Sequence, residues 1–339
     1  MILDSTPREA LLRNWLASLK GCSADQIELE TASADASFRR YFRLQWNDSS
    51  TRIVMDAPPE HEDCRPFVHV TQLLRQGGLH APECFAQNLT QGFLLLEDLG
   101  TTTYLDSLNQ NSAPALYSDA IDALIKLQSI PAENQVPPYD RDRLSAELDL
   151  FPVWYLGQHC KLHLSEQEQQ EWHDFSEWLL DNIESQPRVL VHRDYHCRNL
   201  MVCSPDNPGI IDYQDAVFGS ITYDLMSLFK DAYIQWEEAQ ILDWVIQYWQ
   251  RARKAGLPVA DDISVFHEQC EWMGLQRHLK ILGIFARLFY RDGKDRYLAD
   301  LPLVLDYTRK VAQRFDRCRF LVRLLDKAEA KQIDVGYTF

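Results

Sequence analysis

Three polar side chains that lie between short apolar runs stand out in one stretch of the sequence. In VLVHRDYHCRNLMV (Val189–Val202), Asp194 and Asn199 lie between two apolar triplets, and GIIDYQD then places Asp212 after two isoleucines. Phosphoryl transfer needs a carboxylate that positions the acceptor hydroxyl and accepts its proton, together with oxygen ligands for Mg²⁺. An aspartate, an asparagine and a second aspartate supply these groups, so the stretch indicates phosphoryl transfer.

The spacing of this stretch is more specific than its composition. HRDYHCRN, residues 192–199, matches the pattern H-R-D-x-x-x-x-N of kinase catalytic loops at every fixed position. The flanking apolar runs predict two short strands of a hairpin, which would hold Asn199 and Asp212 near one another at its open end. Asp and Asn are also common in surface turns, but the full motif followed by an acid after a strand favours the catalytic interpretation.

Length, charge and apolar content narrow the class of protein. The chain has 339 residues, of which 46% are apolar and 25% charged, with a formal net charge of −16. This length predicts two lobes or two domains. An acidic surface repels phosphate backbones and anionic lipid headgroups, so nucleic-acid and membrane partners are disfavoured, although acidity also serves solubility alone.

The sequence contains neither a secretory signal pattern nor an apolar run of ~20 residues, so we expect a cytoplasmic protein. A monomer is expected, although the sequence leaves the oligomeric state open. Eight cysteines without a C-x-x-C motif predict reduced thiols. The nearest zinc-like pairs, Cys197 with Cys203 and His159 with His163, do not complete a set of four ligands.

Apolar periodicity predicts a β-rich first third followed by a helical remainder. After a first helix that ends at Gly21, the predicted strands are Ile27–Thr31, Tyr41–Trp46, Arg52–Asp56 and Phe93–Glu97, with a helix at Glu62–Gln76. The predicted helices of the remainder are Ala113–Ile130, Leu144–His163 and Glu166–Ile183, and helices continue from Thr222 nearly to the end.

These motifs resemble the aminoglycoside phosphotransferase and choline kinase-like family, which shares the protein-kinase architecture. VHRDYHCRN, IIDYQDA and TYDLMSL carry the resemblance, which covers nearly the whole chain. It implies an α+β, protein-kinase-like two-lobed fold. The small β-rich N-lobe (1–99) would hold the nucleotide-covering loop and the hinge strand, and the larger, mostly helical C-lobe (100–339) would hold the catalytic loop and the acceptor site.

The resemblance also assigns roles to individual residues. Asp194 would be the catalytic base and would contact the acceptor, while Asn199 and Asp212 would bind Mg²⁺ and, through it, ATP. Asp224 in TYDLMSL would be a structural acid that ties the loop backbone, and His192 would orient the loop. The cofactors implied are ATP and Mg²⁺.

Longer segments resemble one subgroup of the family, the bacterial anomeric kinases of amino sugars. ASFRRYFRL, IVMDAPPE and above all LQRHLKILGIFARLFYRDGKDRYLADLP carry this likeness. It implies ATP-dependent phosphorylation of the C1 hydroxyl of N-acetylmuramate and N-acetylglucosamine, in peptidoglycan recycling toward UDP-MurNAc. Two alternatives stay open: a kinase of the same fold that acts on an aminoglycoside, choline or another sugar, and a non-catalytic pseudokinase-like module.

The nucleotide side is expected in the first third of the chain. LLLEDLG (94–100) resembles a hinge strand, so the carbonyl of Glu97 and the N–H of Leu99 are candidates to bind adenine, although an ordinary strand before a glycine turn is the alternative. Neither G-x-x-x-x-G-K-[ST] nor G-x-G-x-x-G occurs. DASFRRYF occupies the place of the phosphate-covering loop, where small Ala36 and Ser37 would let backbone N–H groups approach phosphate oxygens.

One departure from the family pattern concerns the strand lysine that grips the nucleotide phosphates. RIVMDAPP places Met55 or Asp56 at that position, and the next helix, RPFVHVTQLL, lacks the partner glutamate. Another cation must compensate, and the nearby candidates are Arg39, Arg40, Arg43 and Arg52. Arg43 is favoured because it shares a strand face with Tyr41 and Gln45, although a solvated arginine is an equally common role for each.

The acceptor side is expected in the helical remainder. ELDLFPVWYL offers Glu147 as a partner of sugar hydroxyls and Trp154 and Tyr155 as an aromatic floor, with core packing as the alternative for the two rings. Arg198 could contact the acceptor or stabilise the charge of the transferred phosphate, and it could equally be a structural partner of an acid. For the lactyl carboxylate of a muramic acid the cationic candidates, which could equally form a solvated face, are Arg277, His278, Lys280 and Arg287.

Overall fold

The computed structural model describes residues 7–34 and 38–336, and side chains for residues 7–32 and 38–331. It divides into two compact units. The first draws on the chain up to Thr103 and on Leu200–Asp215, and the second on Tyr104–Asn199 and the chain from Ala216 onward. The predicted lobe boundary after residue 99 stays a prediction.

The first unit is built on an antiparallel sheet of five strands in the order β1-β2-β3-β5-β4. Helix α1 covers one face of the sheet: its leucines at positions 12 and 16 pack against Val54, Phe93 and Leu95. Burial of each such leucine contributes about 2 kcal/mol. The elements are α1 (Pro7–Lys20), β1 (Glu30–Ala34), β2 (Arg40–Gln45), β3 (Thr51–Asp56), α2 (Arg65–Gln76), β4 (Cys84–Asn88) and β5 (Phe93–Glu97).

Three predicted strands match β2, β3 and β5 to within one residue, and two larger differences remain. The first strand begins at Glu30 rather than Ile27. Strand β4 was not predicted, because CFAQN lacks the alternation of apolar and polar side chains that marks a half-buried strand. The helix expected from Glu62 begins at Arg65, with Pro66 in its first turn, where a missing N–H costs nothing.

A small hairpin from the middle of the chain completes the first unit. Leu200 pairs with Ile210 and Met201 with Gly209, and the N–H of Ile210 donates to the carbonyl of His80 across 2.8 Å. A Cβ at Gly209 would lie 2.9 Å from Leu99 Cδ1 and 2.8 Å from Cys203 Sγ, so a larger residue here requires these two side chains to shift. The predicted hairpin is therefore present.

The second unit is helical apart from one pair of strands. The hairpin strands of the first unit are β7 (Leu200–Met201) and β8 (Gly209–Ile210). The elements of the second unit are α3 (Tyr104–Ser107), α4 (Ala113–Gln128), α5 (Arg141–Leu148), a π-helix (Phe151–His159), α6 (Glu166–Glu184), β6 (Arg188–Val191), β9 (Val217–Ser220), α7 (Tyr223–Phe229), α8 (Glu238–Lys254), α9 (Ile263–Tyr290), α10 (Leu301–Arg314) and α11 (Arg319–Gly336). Strand β6 pairs antiparallel with β9. Helix α9 lies against several others, and Gly283 allows its backbone to approach Leu150.

The helical stretch predicted for Leu144–His163 is helical over most of its length but is divided into two elements. The chain forms α5, which ends at Leu148, and then a π-helix from Phe151. Pro152 in the first turn of the π-helix has no N–H to donate to the preceding turn, so the α-helical bonding of α5 does not continue through it.

Among the described residues, none of the helices combines the length and the apolar content that crossing a bilayer requires. The eight cysteines are all within the described ranges and form no disulfide there. Groups of three or more His, Cys, Asp and Glu side chains with metal-binding geometry do not occur among residues 7–34 and 38–336.

Candidate active site

The catalytic loop, residues 192–199, is fixed at its start by Asp224. Asp224 lies in the first turn of α7, and its carboxylate accepts the backbone N–H of His192 at 2.7 Å and that of Arg193 at 2.9 Å. The side chain is fully buried, and burial raises its pKa to about 7 against the effect of the two backbone donors. This is the contact that the family resemblance assigned to Asp224.

The loop backbone around Asp194 is strained. Arg193 has φ +79°, in the left-handed region that costs a non-glycine residue roughly 1 kcal/mol or more. The two N–H bonds to Asp224 hold it there. The N–H of Asp194 then donates to His192 Nδ1 at 3.2 Å, so His192 orients the loop as expected.

Asn199 is tied directly to the backbone of Asp194. Its Nδ2 donates to the carbonyl oxygen of Asp194 at 3.0 Å, and its N–H donates to the carbonyl of His196 at 2.9 Å. The amide oxygen of Asn199 is therefore directed away from that carbonyl. The loop thus fixes the base candidate and the first metal-ligand candidate relative to each other.

The electrostatic surroundings of Asp194 favour its ionised form. Burial acts to raise the pKa of Asp194, but the nearby charges of His196, Lys280 and Arg193 outweigh it, so the pKa lies below its usual value. A carboxylate at this position is ionised at neutral pH and able to accept a hydrogen bond from a hydroxyl group.

Glu147 lies at the centre of a mixed cluster next to the loop. Its Oε1 accepts from Arg193 Nη2 at 2.8 Å and from Lys280 Nζ at 3.0 Å, and its Oε2 accepts from the hydroxyl of Tyr139. Lys280 also donates to the hydroxyl of Tyr223 at 3.0 Å. Burial acts to raise the pKa of Glu147, and Lys280 and Arg193 bring it below its usual value.

Lys280 is the lactyl candidate that contacts Glu147 itself, while the guanidinium of Arg277 lies 4.9 Å from the ring centroid of Tyr223. Arg277 is buried, with Nη2 donating to Ser227 at 2.9 Å. His278 is buried against the carbonyl of Lys230, and Arg287 is partly buried further along α9. The face containing Arg277 is therefore packed rather than solvated. Sequence reasoning missed Tyr139, which no motif marks, and Tyr223, which lies in TYDLMSL but was given no role there.

The other acceptor candidates lie on two different elements. Arg198 is exposed, with its guanidinium carbon 3.5 Å from the ring centroid of Tyr233. Trp154 is partly buried on the π-helix, and Tyr155 is buried and stacks on the ring of Phe151 at 5.4 Å. Core packing explains Tyr155.

In the first unit, Asp212 follows the hairpin that begins after Asn199. Asp212 has φ +64°, so both proposed acids lie beside or at a strained residue. Its Oδ1 accepts from Gln214 Nε2 at 2.9 Å. In the chain, Asn199 immediately precedes Leu200, and Asp212 follows Ile210, the pairing partner of Leu200, by two residues.

Arg39 is the arginine of the first unit that faces Asp212. Burial acts to lower the pKa of Arg39, but Tyr41, Asp212, Glu62 and Asp215 together raise it above its usual value, and Arg39 Nε lies 3.7 Å from Glu62 Oε2.

The other arginine candidates have different acidic partners. Arg40 pairs with buried Asp56, and Arg52 pairs with Asp48 at 3.2 Å. At the position of the missing lysine, Met55 is uncharged and buried, and Asp56 is an acid. Neither residue supplies a cation.

Arg43, the favoured candidate, forms a two-pronged ion pair with Asp98. Nε lies 2.5 Å from Oδ2 and Nη2 2.9 Å from Oδ1, and Nη2 also donates to the carbonyl of Gly100 at 3.1 Å. Arg43 thus secures the end of the predicted hinge strand. Within that segment the side chain of Glu97 accepts the N–H of Glu83 at 3.1 Å. Ser37 and Ala36 lie outside the described residues.

Comparison with known proteins agrees with these features. The model of the "Phosphotransferase enzyme family" matches residues 28–259. An N-acetylmuramate/N-acetylglucosamine kinase of Pseudomonas putida is 48% identical over 302 residues, which cover 89% of this chain and 88% of that protein. A protein of the same description from Neisseria meningitidis is 41% identical over 337 residues, covering 98% and 99%.

Solved structures with the same fold are more distant in sequence. An ADP-bound aminoglycoside phosphotransferase has a TM-score of 0.55 at 16% identity and covers 91% of this chain and 99% of its own. A Plasmodium vivax ethanolamine kinase has a TM-score of 0.62 at 10% identity and covers 88% and 86%. The predicted α+β, protein-kinase-like fold is confirmed, with a small antiparallel-sheet unit and a larger, mostly helical one.

Proposed function

The chain belongs to the phosphotransferase enzyme family, and we propose that it is an ATP-dependent sugar kinase that phosphorylates the C1 hydroxyl of N-acetylmuramate and N-acetylglucosamine. The observation that carries the choice of acceptor is the 48% identity over 89% of the chain to a kinase of that description. The predicted role in peptidoglycan recycling toward UDP-MurNAc is part of this proposal.

Asp194 is the proposed general base. Its lowered pKa keeps it ionised, so it accepts a hydrogen bond from the C1 hydroxyl and takes that proton as the oxygen attacks the γ-phosphorus in line. The P–O bond to the β-phosphate oxygen breaks, and ADP leaves. The products are a sugar 1-phosphate, ADP and one proton on Asp194. A weakly basic carboxylate suffices because phosphoryl transfer passes through a loose transition state, so the hydroxyl loses its proton late.

Asn199 and Asp212 are the proposed holders of Mg²⁺. Both present oxygen ligands, which this cation prefers, and Mg²⁺ with a nucleotide needs only one or two protein carboxylates because phosphates and waters complete its shell. The amide oxygen of Asn199 is directed away from the carbonyl of Asp194, since Nδ2 donates there. When bound, the ion would neutralise charge on the phosphate oxygens.

Glu147 is the proposed partner of the sugar hydroxyls, with Arg198 and Trp154 as further acceptor contacts. Glu147 is ionised and 17% exposed, and it shares Arg193 with the loop that carries Asp194. Lys280 is the proposed cation for the lactyl carboxylate, because it is the charged group of α9 that reaches Glu147. In the first unit, Ser37, Glu97 and Leu99 are the proposed nucleotide contacts. The sequence-based choice of Arg43 stays a prediction, and Arg39 is the proposed cation because it faces Asp212, whereas Arg43 is paired with Asp98.

The test is the position of phosphate on the product. Phosphorus NMR after incubation of the protein with ATP, Mg²⁺ and N-acetylglucosamine should show a single sugar phosphate whose phosphorus couples to the anomeric proton. The methyl glycoside of the same sugar, which has no free C1 hydroxyl, should give no product. Phosphate on another carbon, or turnover of the methyl glycoside, would overturn the anomeric assignment.

One observation favours a second acceptor class. A net charge of −16 would attract a cationic acceptor such as an aminoglycoside or choline. ADP release measured with each acceptor at equal concentration separates the two proposals, since the sugar kinase proposal predicts turnover with the uncharged amino sugar and none with the cations.

A further inference from the structure

The far half of the catalytic loop has an anchor of its own. The backbone N–H of Cys197 donates to Asp231 Oδ2 at 3.2 Å, and the thiol of Cys197 donates to the same oxygen at 2.8 Å. Asp231 Oδ1 accepts the N–H of Tyr233 at 3.1 Å. Both Cys197 and Asp231 are buried, so water cannot readily take the place of either hydrogen-bond partner if the other is lost.

Asp231 resembles Asp224 in the way that it acts on the loop. Asp224 lies at the start of α7 and binds two backbone N–H groups at the beginning of the loop, and Asp231 lies two residues beyond the end of α7 and binds one near the end of the loop. Helix α7 is fully buried. Its seven residues span about 10 Å, so a rigid helix sets the distance between the two anchors.

The neighbours of Asp231 reinforce the same contact. The ring of Tyr233 lies under the guanidinium of Arg198 at 3.5 Å and meets the ring of His196 edge-on at 5.4 Å. The carbonyl of Lys230 accepts from His278 Nε2 at 3.1 Å. Residues 196–198 are therefore held by a short segment, residues 230–233, which is bonded to α9 through the carbonyl of Lys230.

We propose that Asp231 is a positioning residue for phosphoryl transfer, which sets the place of Asn199 through Cys197. Asn199 follows Cys197 by two residues, and it is bonded to the carbonyls of His196 and Asp194. A loop that loses its anchor at Cys197 therefore moves the amide of Asn199 relative to Asp194. This inference rests on the proposed roles of Asp194 and Asn199.

The two oxygens of Asp231 make the substitutions graded. Asp231→Asn has one acceptor oxygen and one NH₂ group, so it satisfies either Cys197 or Tyr233 but not both. Asp231→Ala satisfies neither. Cys197→Ala removes only the thiol donor and leaves the backbone bond, and Cys197→Ser restores a donor at that position.

The experiment measures kcat, KM for ATP and the Mg²⁺ concentration for half-maximal rate with N-acetylmuramate as acceptor. Asp231→Ala should lower kcat at least tenfold and raise the half-maximal Mg²⁺ concentration severalfold, with KM for ATP changed less than threefold. Asp231→Asn should fall between Asp231→Ala and wild type, and Cys197→Ser should retain more activity than Cys197→Ala.

Tyr248→Phe is the matched control for a purely structural effect. It removes a buried hydroxyl of the same unit that donates to Gln128, far along the chain from the loop. It should lower the melting temperature and leave kcat and the Mg²⁺ dependence unchanged.

The inference is overturned if the Asp231 variants lose melting temperature as Tyr248→Phe does but keep kcat and Mg²⁺ dependence within twofold of wild type. Should Asp231→Ala fail to fold, Asp231→Asn and the two Cys197 variants decide by the same criteria. Wild-type inactivity toward both amino sugars would instead contradict the proposed function. If Asp194→Asn is inactive while the Asp231 variants keep the kcat and Mg²⁺ dependence of wild type, this inference is contradicted and the proposed function is not.

Discussion

Arg193 of the catalytic loop donates through Nη2 to Oε1 of Glu147 at 2.8 Å. The arginine of the H-R-D motif thus connects the loop to helix α5, which precedes it by more than forty residues. Because the backbone of Arg193 is in the left-handed region, this ion pair and the two bonds from Asp224 together hold a conformation that the chain would not adopt by itself.

Removal of the Glu147 charge should weaken both stability and acceptor binding. Glu147→Gln leaves Arg193 and Lys280 without their shared anion, so the free energy of unfolding should fall by about 1 to 3 kcal/mol. KM for the sugar should rise more than KM for ATP. Urea unfolding and steady-state kinetics measure the two effects, and unchanged KM for both substrates would remove Glu147 from the acceptor site.

Lys280 should affect the pH at which activity is lost on the acid side of the pH–rate profile, through its effect on the pKa of Asp194. Lys280 lowers the pKa of Asp194, so Lys280→Met should raise that pKa. Because Asp194 must be ionised to accept a proton, kcat/KM should begin to fall at a higher pH than in wild type. Lys310→Met, which removes an exposed lysine paired with Asp306, should leave the profile in place; an equal shift in both variants would argue for a general charge effect.

Lys280 should also separate the two sugars. If it binds the lactyl carboxylate, Lys280→Met raises KM for N-acetylmuramate at least tenfold relative to KM for N-acetylglucosamine, which lacks that group. Competition of the two sugars in one reaction, followed by product quantification, measures the ratio directly. An equal loss for both sugars would place the lactyl group elsewhere.

Asp224 should make stability depend on pH between its unfolded and folded pKa values. Its pKa is about 7 in the folded chain against 3.8 unperturbed. The folded state therefore binds the proton more tightly, and this contribution is present below about pH 4 and is lost as pH rises to 7. The melting temperature of wild type minus that of Asp224→Asn should fall between pH 4 and pH 7 and level off above pH 7. A difference that rises over this range would contradict the raised pKa.

The local parts of this site could be predicted from the sequence. The H-R-D-x-x-x-x-N spacing predicts the loop, and the apolar runs on either side of residues 203–208 predict the hairpin of β7 and β8, because both depend on residues close together in the chain. The apolar run before the loop, β6, pairs instead with β9. The role of Asp224 came from the family resemblance.

Contacts between distant residues could not be predicted in the same way. Glu147 and Lys280 are separated by more than a hundred residues, and they meet because α5 and α9 pack together. Asp231 lies in none of the quoted motifs, and Arg39 is one of four candidate arginines that the sequence does not separate, because the roles of both residues depend on which donors or acids the fold places beside them. The prediction that Arg43 binds the nucleotide depends on the faces of one strand, whereas its ion-pair partner Asp98 follows another strand of the sheet.

Arg39 and Arg43 should respond differently to substitution. Arg43→Gln leaves Asp98, 4% exposed, without its ion pair, so it should chiefly lower stability. Arg39 faces Asp212, the proposed metal ligand, so Arg39→Gln should raise KM for ATP severalfold with a smaller change in melting temperature. If instead Arg43→Gln alone raises KM for ATP, the sequence-based choice of Arg43 is right.

The most direct test of the account is turnover and nucleotide binding in Asp194→Asn. This variant keeps the shape of the side chain and removes its ability to accept a proton. If Asp194 is the general base, kcat should be lower by about 10² to 10⁴, and the affinity for ATP·Mg²⁺ measured by calorimetry should stay within threefold of wild type. Near-normal turnover in a correctly folded Asp194→Asn would contradict it.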